Sequence, residues 1–235
     1  MKKKTLIVSI ISLIIIVAFV IGLVSCSGSA PPPQTLPGTP PPQTLPGTEV
    51  REYQGENLSS INDFRENSIK GPQYVDIDKY QLQITGLAEN LTSYTYNEVI
   101  NDFVKYDKVV TLNCVEGWSV NILWEGVQLK DILEKAGPRP EAKVVIFHAY
   151  DGYTTSFPIE YIVNNNILMA YKMNDVVIPP ERGFPFQLVA ESKWGYKWIK
   201  WITQIELSDN TSYKGYWEER GYSNTGDLDK YFLGP

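Results

Sequence analysis

The nonapeptide PPPQTLPGT occupies residues 31–39 and is repeated without a gap or a change at 40–48. Proline fixes φ and carries no backbone donor, so a stretch this rich in it neither continues a helix nor enters a sheet. It is expected to run as an extended, polyproline-like stalk of about 3.1 Å per residue, roughly 50 Å at most. It has no apolar face to bury and adds nothing to a core. A spacer and a ligand for a proline-binding groove are both open uses for it. The repeat divides the chain, and the residues after it suffice for one domain or slightly more.

Before the repeat, Lys2, Lys3 and Lys4 precede a continuous apolar run from Thr5 to Ser25. About 20 such residues at ~1.5 Å each match a ~30 Å hydrocarbon layer. The run ends in Leu23-Val24-Ser25-Cys26, followed by Ser27-Gly28-Ser29. That ending resembles a lipobox, in which Cys26 becomes the lipidated N-terminus of the mature protein. The other reading is an uncleaved transmembrane helix. Either reading anchors the chain at the outer face of the cytoplasmic membrane or in the cell envelope. The expected organisation is a signal or anchor at 1–26, a stalk at 27–50, a folded domain at 51–212 and a C-terminal extension at 213–235.

Composition narrows the function. Three of the 21 basic residues are Lys2–Lys4, leaving 18 against 27 acidic ones in the rest of the chain. An acidic balance argues against nucleic acid, which requires a basic footprint. The chain has two cysteines and one histidine, His148. A zinc site built from Cys and His needs more of both, and a bis-histidine haem is excluded within one chain. If Cys26 carries lipid, Cys114 has no disulfide partner. Six tryptophans and fifteen tyrosines supply a core and aromatic pocket walls.

Periodicity gives the elements. Tyr80–Leu87 alternates with period two and predicts a strand. Thr95–Phe103 predicts a short helix, with Thr95 and Glu98 at capping-box spacing and Tyr96, Val99, Ile100 and Phe103 on one face. KVVTLNC predicts a strand ending at Cys114. Val127–Ala136 predicts a helix with Leu129, Ile132, Leu133 and Ala136 as its stripe, stopped by Gly137-Pro138. AKVVIFHAY, YTTSF, FPFQLVA and WIKWITQIEL predict strands, and ILMAYKM and VVIPPE a hairpin around Asn174-Asp175. Many short strands, few short helices and no regular βαβ alternation indicate an α+β fold of mixed, mainly antiparallel sheets.

Two segments carry candidate chemistry. In TLNCVEGWS (111–119), Cys114 stands between a strand and a Gly-Trp turn. Free cysteine is most often an inert core residue. It is also a nucleophile if His148 reaches it, or a ligand for a soft metal whose other ligands are not protein. Glu116 falls on the same side as Cys114 if the backbone stays extended. In ESKWGYKWIKW (191–201), Lys193, Lys197 and Lys200 surround a glycine turn among tryptophans, and PPERGFPF adds Arg182. These cations are either a solvated patch or an anion site for a phosphate.

Taken together, CVEGWS, PPERGFPFQLV, KWGYKWIKWITQIEL and NSIKGPQYVDIDKYQLQITG resemble the molybdopterin-binding domain of the sulfite oxidase superfamily over residues 60–208 or so. The closer likeness is to its small haem-free members, akin to the periplasmic methionine sulfoxide reductase catalytic subunit. The resemblance implies a molybdenum–molybdopterin cofactor, with tungsten as an alternative, no haem, and Cys114 as the metal's thiolate ligand. Glu116 would stand at the substrate face. Asn67, Arg182, Lys193, Lys197, Trp198, Ile199 and Lys200 would surround the pterin and its phosphate. It implies two-electron oxygen-atom transfer on a small-molecule substrate, with electrons exchanged with a separate protein such as a membrane cytochrome or quinone-linked subunit. The chain departs from the family where Arg65 has no histidine after it, where Gln187 replaces an arginine, and where the N-terminus has no twin arginine. Only a short tail follows Leu207, so the immunoglobulin-like domain of full sulfite oxidases is expected to be missing. These departures point away from sulfite and leave a metal-free binding module of the same fold as the other reading.

Overall fold

The computed structural model describes residues 48–234. The signal or anchor expected at 1–26 and residues 27–47 of the stalk lie outside the described residues. Among the described residues, no helix is long and apolar enough to cross a membrane.

The chain opens with a two-residue-strand hairpin, β1 (Glu52–Tyr53) and β2 (Glu56–Asn57). Then come β3 (Leu82–Gly86), β4 (Thr92–Tyr94) and helix α1 (Tyr96–Asp102). The capping box forms as the spacing predicts: Thr95 Oγ1 accepts from the Glu98 backbone, and the Thr95 backbone donates to the Glu98 carboxylate at 2.6 Å. A long hairpin follows, β5 (Lys105–Asn113) and β6 (Ser119–Gln128), with helix α2 (Leu129–Ala136) directly behind it. The four predicted stripe residues of α2 are all buried, and Gly137 closes the helix in the left-handed region at φ 65°. Beyond it lie β7 (Val144–Ala149), β8 (Thr154–Pro158), helix α3 (Ile159–Asn164), β9 (Leu168–Met173), β10 (Val176–Val177), β11 (Gln187–Val189) and β12 (Ile202–Ser208).

Two five-stranded sheets result. One runs β4-β3-β12-β7-β8, antiparallel except where β12 lies parallel to β3. The other runs β10-β9-β6-β5, with β11 also paired to β9. Gly126 marks a register shift between β6 and β9, where a Cβ would lie 2.4 Å from the Met169 carbonyl oxygen. Leu82, Ile84, Phe147 and Ile205 of the first sheet share one buried cluster with Ile122, Trp124, Met169 and Leu188 of the second. The architecture is the expected α+β fold with mainly antiparallel sheets.

Three readings change. Val127 and Gln128 end β6 instead of starting a helix, and the strand Ser119–Gln128, unseen by period-two reading, is buried on both faces for much of its length. Helix α3 is too short to show a period. WIKW does not lie in a strand: Gly195–Lys197 is a 3₁₀ turn, Trp201 has φ 54°, and β12 starts at Ile202. Residues on either side of 51–212 also bond to the body. Glu49 accepts hydrogen bonds from the Ile61 backbone at 2.7 Å and from Asn174 at 3.0 Å. Residues 213–234 pack onto the 192–200 loop, with the Trp194 backbone donating to Gly226 at 2.8 Å and the Leu228 backbone to Ser192 at 3.0 Å.

Candidate functional site

Cys114 is the first residue past β5, in the loop that turns into β6. Its backbone N–H donates to the Trp118 carbonyl at 2.9 Å, and Gly117, at φ 82°, donates back to the Cys114 carbonyl at 3.1 Å. This tight loop fixes the thiol in the wall of a cavity of about 240 Å³. Burial pushes the Cys114 thiol above its ordinary range, while the Glu116 backbone N–H and the Arg65 charge oppose the shift. It is the one cysteine among the described residues and is unpaired.

Asn67, Cys114, Glu116, Arg182, Trp198, Ile199 and Lys200 all line this cavity. The Glu116 carboxylate is held at both oxygens: Asn67 Nδ2 donates to one at 3.1 Å and Trp118 Nε1 to the other at 3.2 Å. Arg182 donates to the Ile61 and Phe64 carbonyls and lies over the Phe64 ring. Lys200 contacts Glu66 at 3.2 Å; burial lowers its pKa and Glu66 opposes the shift. With Arg65, Arg182 and Lys200 thus place three cations on the wall.

Lys193 and Lys197 are not brought to the cavity. Lys197 is fully buried and spends its three donors on Ser156 O at 2.9 Å, Glu218 Oε1 at 2.6 Å and Asn224 O at 3.0 Å. Lys193 is ion-paired with Asp227. Both counter-ions come from the C-terminal segment, which lysine spacing alone does not reveal. His148 pairs with Glu206 at 2.8 Å and does not line the cavity, which leaves the thiol–histidine arrangement without geometric support. Sequence reasoning missed Asp151, Tyr153, Trp217 and Tyr222 in the lining. The cluster of aromatics in KGYWEERGY was the available signal for the last two.

The donor set suits a metal bound mainly by a non-protein group. Among the described residues, no cluster of three or more His, Cys, Asp or Glu could hold an ion by itself. One soft sulfur, three wall cations and two buried polar atoms without partners, Ser68 Oγ and Gln187 Oε1, remain to meet a large polar ligand.

A mixed two-sheet domain with a lone thiol at a hairpin tip, facing a cation-bearing cavity, is built to hold a polar cofactor. The chain belongs to the oxidoreductase molybdopterin binding domain family, whose model matches residues 69–217, and so to the sulfite oxidase superfamily. It is 36% identical over 157 residues to the uncharacterized oxidoreductase YuiH of Bacillus subtilis (strain 168), covering 66% of this chain and 78% of that one. It is 31% identical over 149 residues to the putative protein-methionine-sulfoxide reductase subunit YedZ1 of Azospira oryzae, covering 63% and 56%. With the protein-methionine-sulfoxide reductase catalytic subunit MsrP of Xanthomonas axonopodis pv. citri the identity is 26% over 212 residues, covering 80% and 65%. The chain thus spans less than two thirds of both sulfoxide reductase relatives. The fold is shared with the crystal structure of the sulfane dehydrogenase SoxCD from Paracoccus pantotrophus, at a TM-score of 0.60 and 23% identity over 68% of this chain and 44% of that one.

Proposed function

We propose that this protein is a molybdenum-cofactor-dependent oxidoreductase that transfers an oxygen atom to or from a small substrate. The carrying observation is Cys114: the one described thiol sits on a tight loop in the wall of a cavity whose lining includes Arg182 and Lys200. When bound, a molybdenum–pterin group supplies two-electron oxygen-atom exchange. Cys114 would hold the metal through its thiolate, giving up its proton on loading. Asn67, Arg182, Trp198, Ile199 and Lys200 would hold the pterin, with the two cations on its phosphate. Glu116, immobilised by Asn67 and Trp118, would orient the substrate and accept or return a proton at its carboxylate.

The relatives' designations as a subunit and a catalytic subunit support an electron partner on a separate chain. A membrane cytochrome or quinone-linked protein fits an anchor at 1–26 and a proline spacer. That arrangement puts the domain outside the cytoplasmic membrane.

Elemental analysis of the full chain purified from its native host, with pterin quantified in parallel, tests the reading. Equimolar molybdenum or tungsten and pterin is expected. A folded chain with neither would make it a metal-free binding module.

A further inference from the structure

The cavity has two unlike walls. Arg182 and Lys200 belong to one, tied to the Ile61 and Phe64 carbonyls and to Glu66. The other is aromatic and adjoins the thiol. A Cβ on Gly195 would lie 3.4 Å from the Cys114 Cα. Tyr196, next in the chain, packs on Tyr222 at 5.0 Å, and Tyr222 on Trp217 at 5.0 Å. Trp217 and Tyr222 flank the 3₁₀ turn Glu218–Arg220, which the buried Lys197–Glu218 pair pins and Gly221 closes at φ 93°. The Tyr222 backbone donates to Trp217 O at 3.2 Å, so the two rings are set by one turn. Tyr222 lies past the residues that the family model matches, and Trp217 is the last of them. Of the tryptophans and tyrosines in the lining, Trp118, Trp198 and Trp201 donate their N–H groups to protein acceptors, and Tyr153 and Tyr196 their hydroxyls. Among the described residues, Trp217 Nε1 and the Tyr222 hydroxyl donate to none.

We infer that Trp217 and Tyr222 bind the substrate, and that they select an organic oxide, S–O or N–O, whose oxygen-bearing atom joins a flat ring. The inference rests on the oxidoreductase reading above. Unspent N–H and O–H groups are donors, and the oxygen of an S- or N-oxide is a compact acceptor for them. The two ring faces, tilted 51° to each other, offer a planar apolar group stacking and edge contacts that a small inorganic anion cannot use. Charge agrees. The charged side chains acting on the Cys114 thiol are one of each sign, Arg65 and Glu116, so the place beside the thiol has no surplus cation for an oxoanion. Both rings are half-buried rather than sealed, as suits a ligand that exchanges with solvent.

The test uses the full chain from its native host, with pterin quantified. Methyl phenyl sulfoxide and pyridine N-oxide are titrated separately into the oxidised protein, without reductant, while the indole N–H signals are followed by nitrogen-15 NMR. The Trp217 signal is the one absent from Trp217→Phe. Saturable movement of that signal is expected. With a reduced viologen dye as electron source, each turnover takes one electron from each of two dye molecules and two protons, breaks the S–O or N–O bond and releases the oxygen as water. The ring-bearing oxides are expected to exceed dimethyl sulfoxide and chlorate in kcat/KM by roughly tenfold. Trp217→Phe and Tyr222→Phe, which keep a ring, should each raise KM roughly tenfold, as for one lost hydrogen bond, with pterin per chain unchanged. The oxide with the higher kcat/KM tells S–O from N–O. A Trp217 signal that stays still under both oxides would overturn the inference and leave a solvated indole. Unchanged KM in both variants would overturn it too, as would faster pterin release, which would make the pair a cofactor contact. Absence of pterin from the wild type would remove the parent reading itself, an outcome distinct from these.

Discussion

As the proposed metal ligand, the thiol of Cys114 cannot be replaced by a hydroxyl. Serine is a harder ligand with a far higher pKa, so Cys114→Ser is expected to leave a folded, pterin-containing protein with altered visible absorption and little oxygen-transfer activity. Unchanged activity per bound pterin, with an unchanged spectrum, would make Cys114 a core residue. Because burial already raises the thiol's pKa, a metal taking Cys114 as the proposed ligand would displace a proton held more tightly than usual, and loading should improve as pH rises. Two residues on, the Glu116 carboxylate owes its position to Asn67 and Trp118. Trp118→Phe keeps an aromatic ring against Phe64 but removes the indole N–H. It should lower kcat severalfold while the melting midpoint moves by no more than about 2 °C. A kcat equal to wild type would show that Asn67 alone fixes the carboxylate.

The loop 192–200 and the C-terminal segment act as one unit, joined by Lys197–Glu218 and Lys193–Asp227. Removing one partner of a fully buried pair strands the other charge, so Lys197→Ala should destabilise by about 3–5 kcal/mol. The double change Lys197→Met with Glu218→Met removes both charges and should fold nearly as well as wild type. It should also retain pterin, since Lys197 has no donor left for a phosphate, whereas Lys200→Ala should shed it. Loss of pterin from a well-folded double variant would return Lys197 to the cofactor. Acid should loosen the same junction. Partial burial would raise the Asp227 carboxyl, but hydrogen bonds from Lys193, Lys230 and Thr225 hold it well below the usual carboxylate range. A depressed folded pKa gives stability that is present above the unfolded value of about 3.9 and is lost as pH falls below it. Amides of Trp194 and Leu228 should lose exchange protection between about pH 4 and pH 2, and Asp227→Asn should abolish that pH dependence.

At the scale of the whole molecule, what could be read from the sequence was what local periodicity and caps encode. The helix after Thr95, the stripe of α2, the Asn174-Asp175 turn with both residues at positive φ, and the Cys114 loop were all visible. What could not be read depends on distant partners: a strand buried on both faces loses its alternation, and a lysine's role is set by which carboxylate reaches it. The body's N-terminal edge is of the second kind. Glu49 is two residues short of the expected boundary, yet its carboxylate accepts from Ser60, Ile61 and Asn174, and Asn174 in turn donates to Ser59 O and accepts from the Leu123 backbone. One carboxylate thus ties the chain's entrance to the β9–β10 turn and to β6, the strand that leads back to the Cys114 loop. Residues 27–47 are rich in proline, so deleting them should leave the melting midpoint within about 2 °C and the pterin content unchanged. Deleting 27–50 should lower both, because it takes Glu49 away and leaves the Asn174 amide short of an acceptor. Glu49→Gln in the full chain, which weakens the charge-assisted bonds without shortening the chain, should reproduce part of the loss. Equal midpoints for the two deletions would show that the folded body begins after Val50 and that the Glu49 network contributes nothing to it.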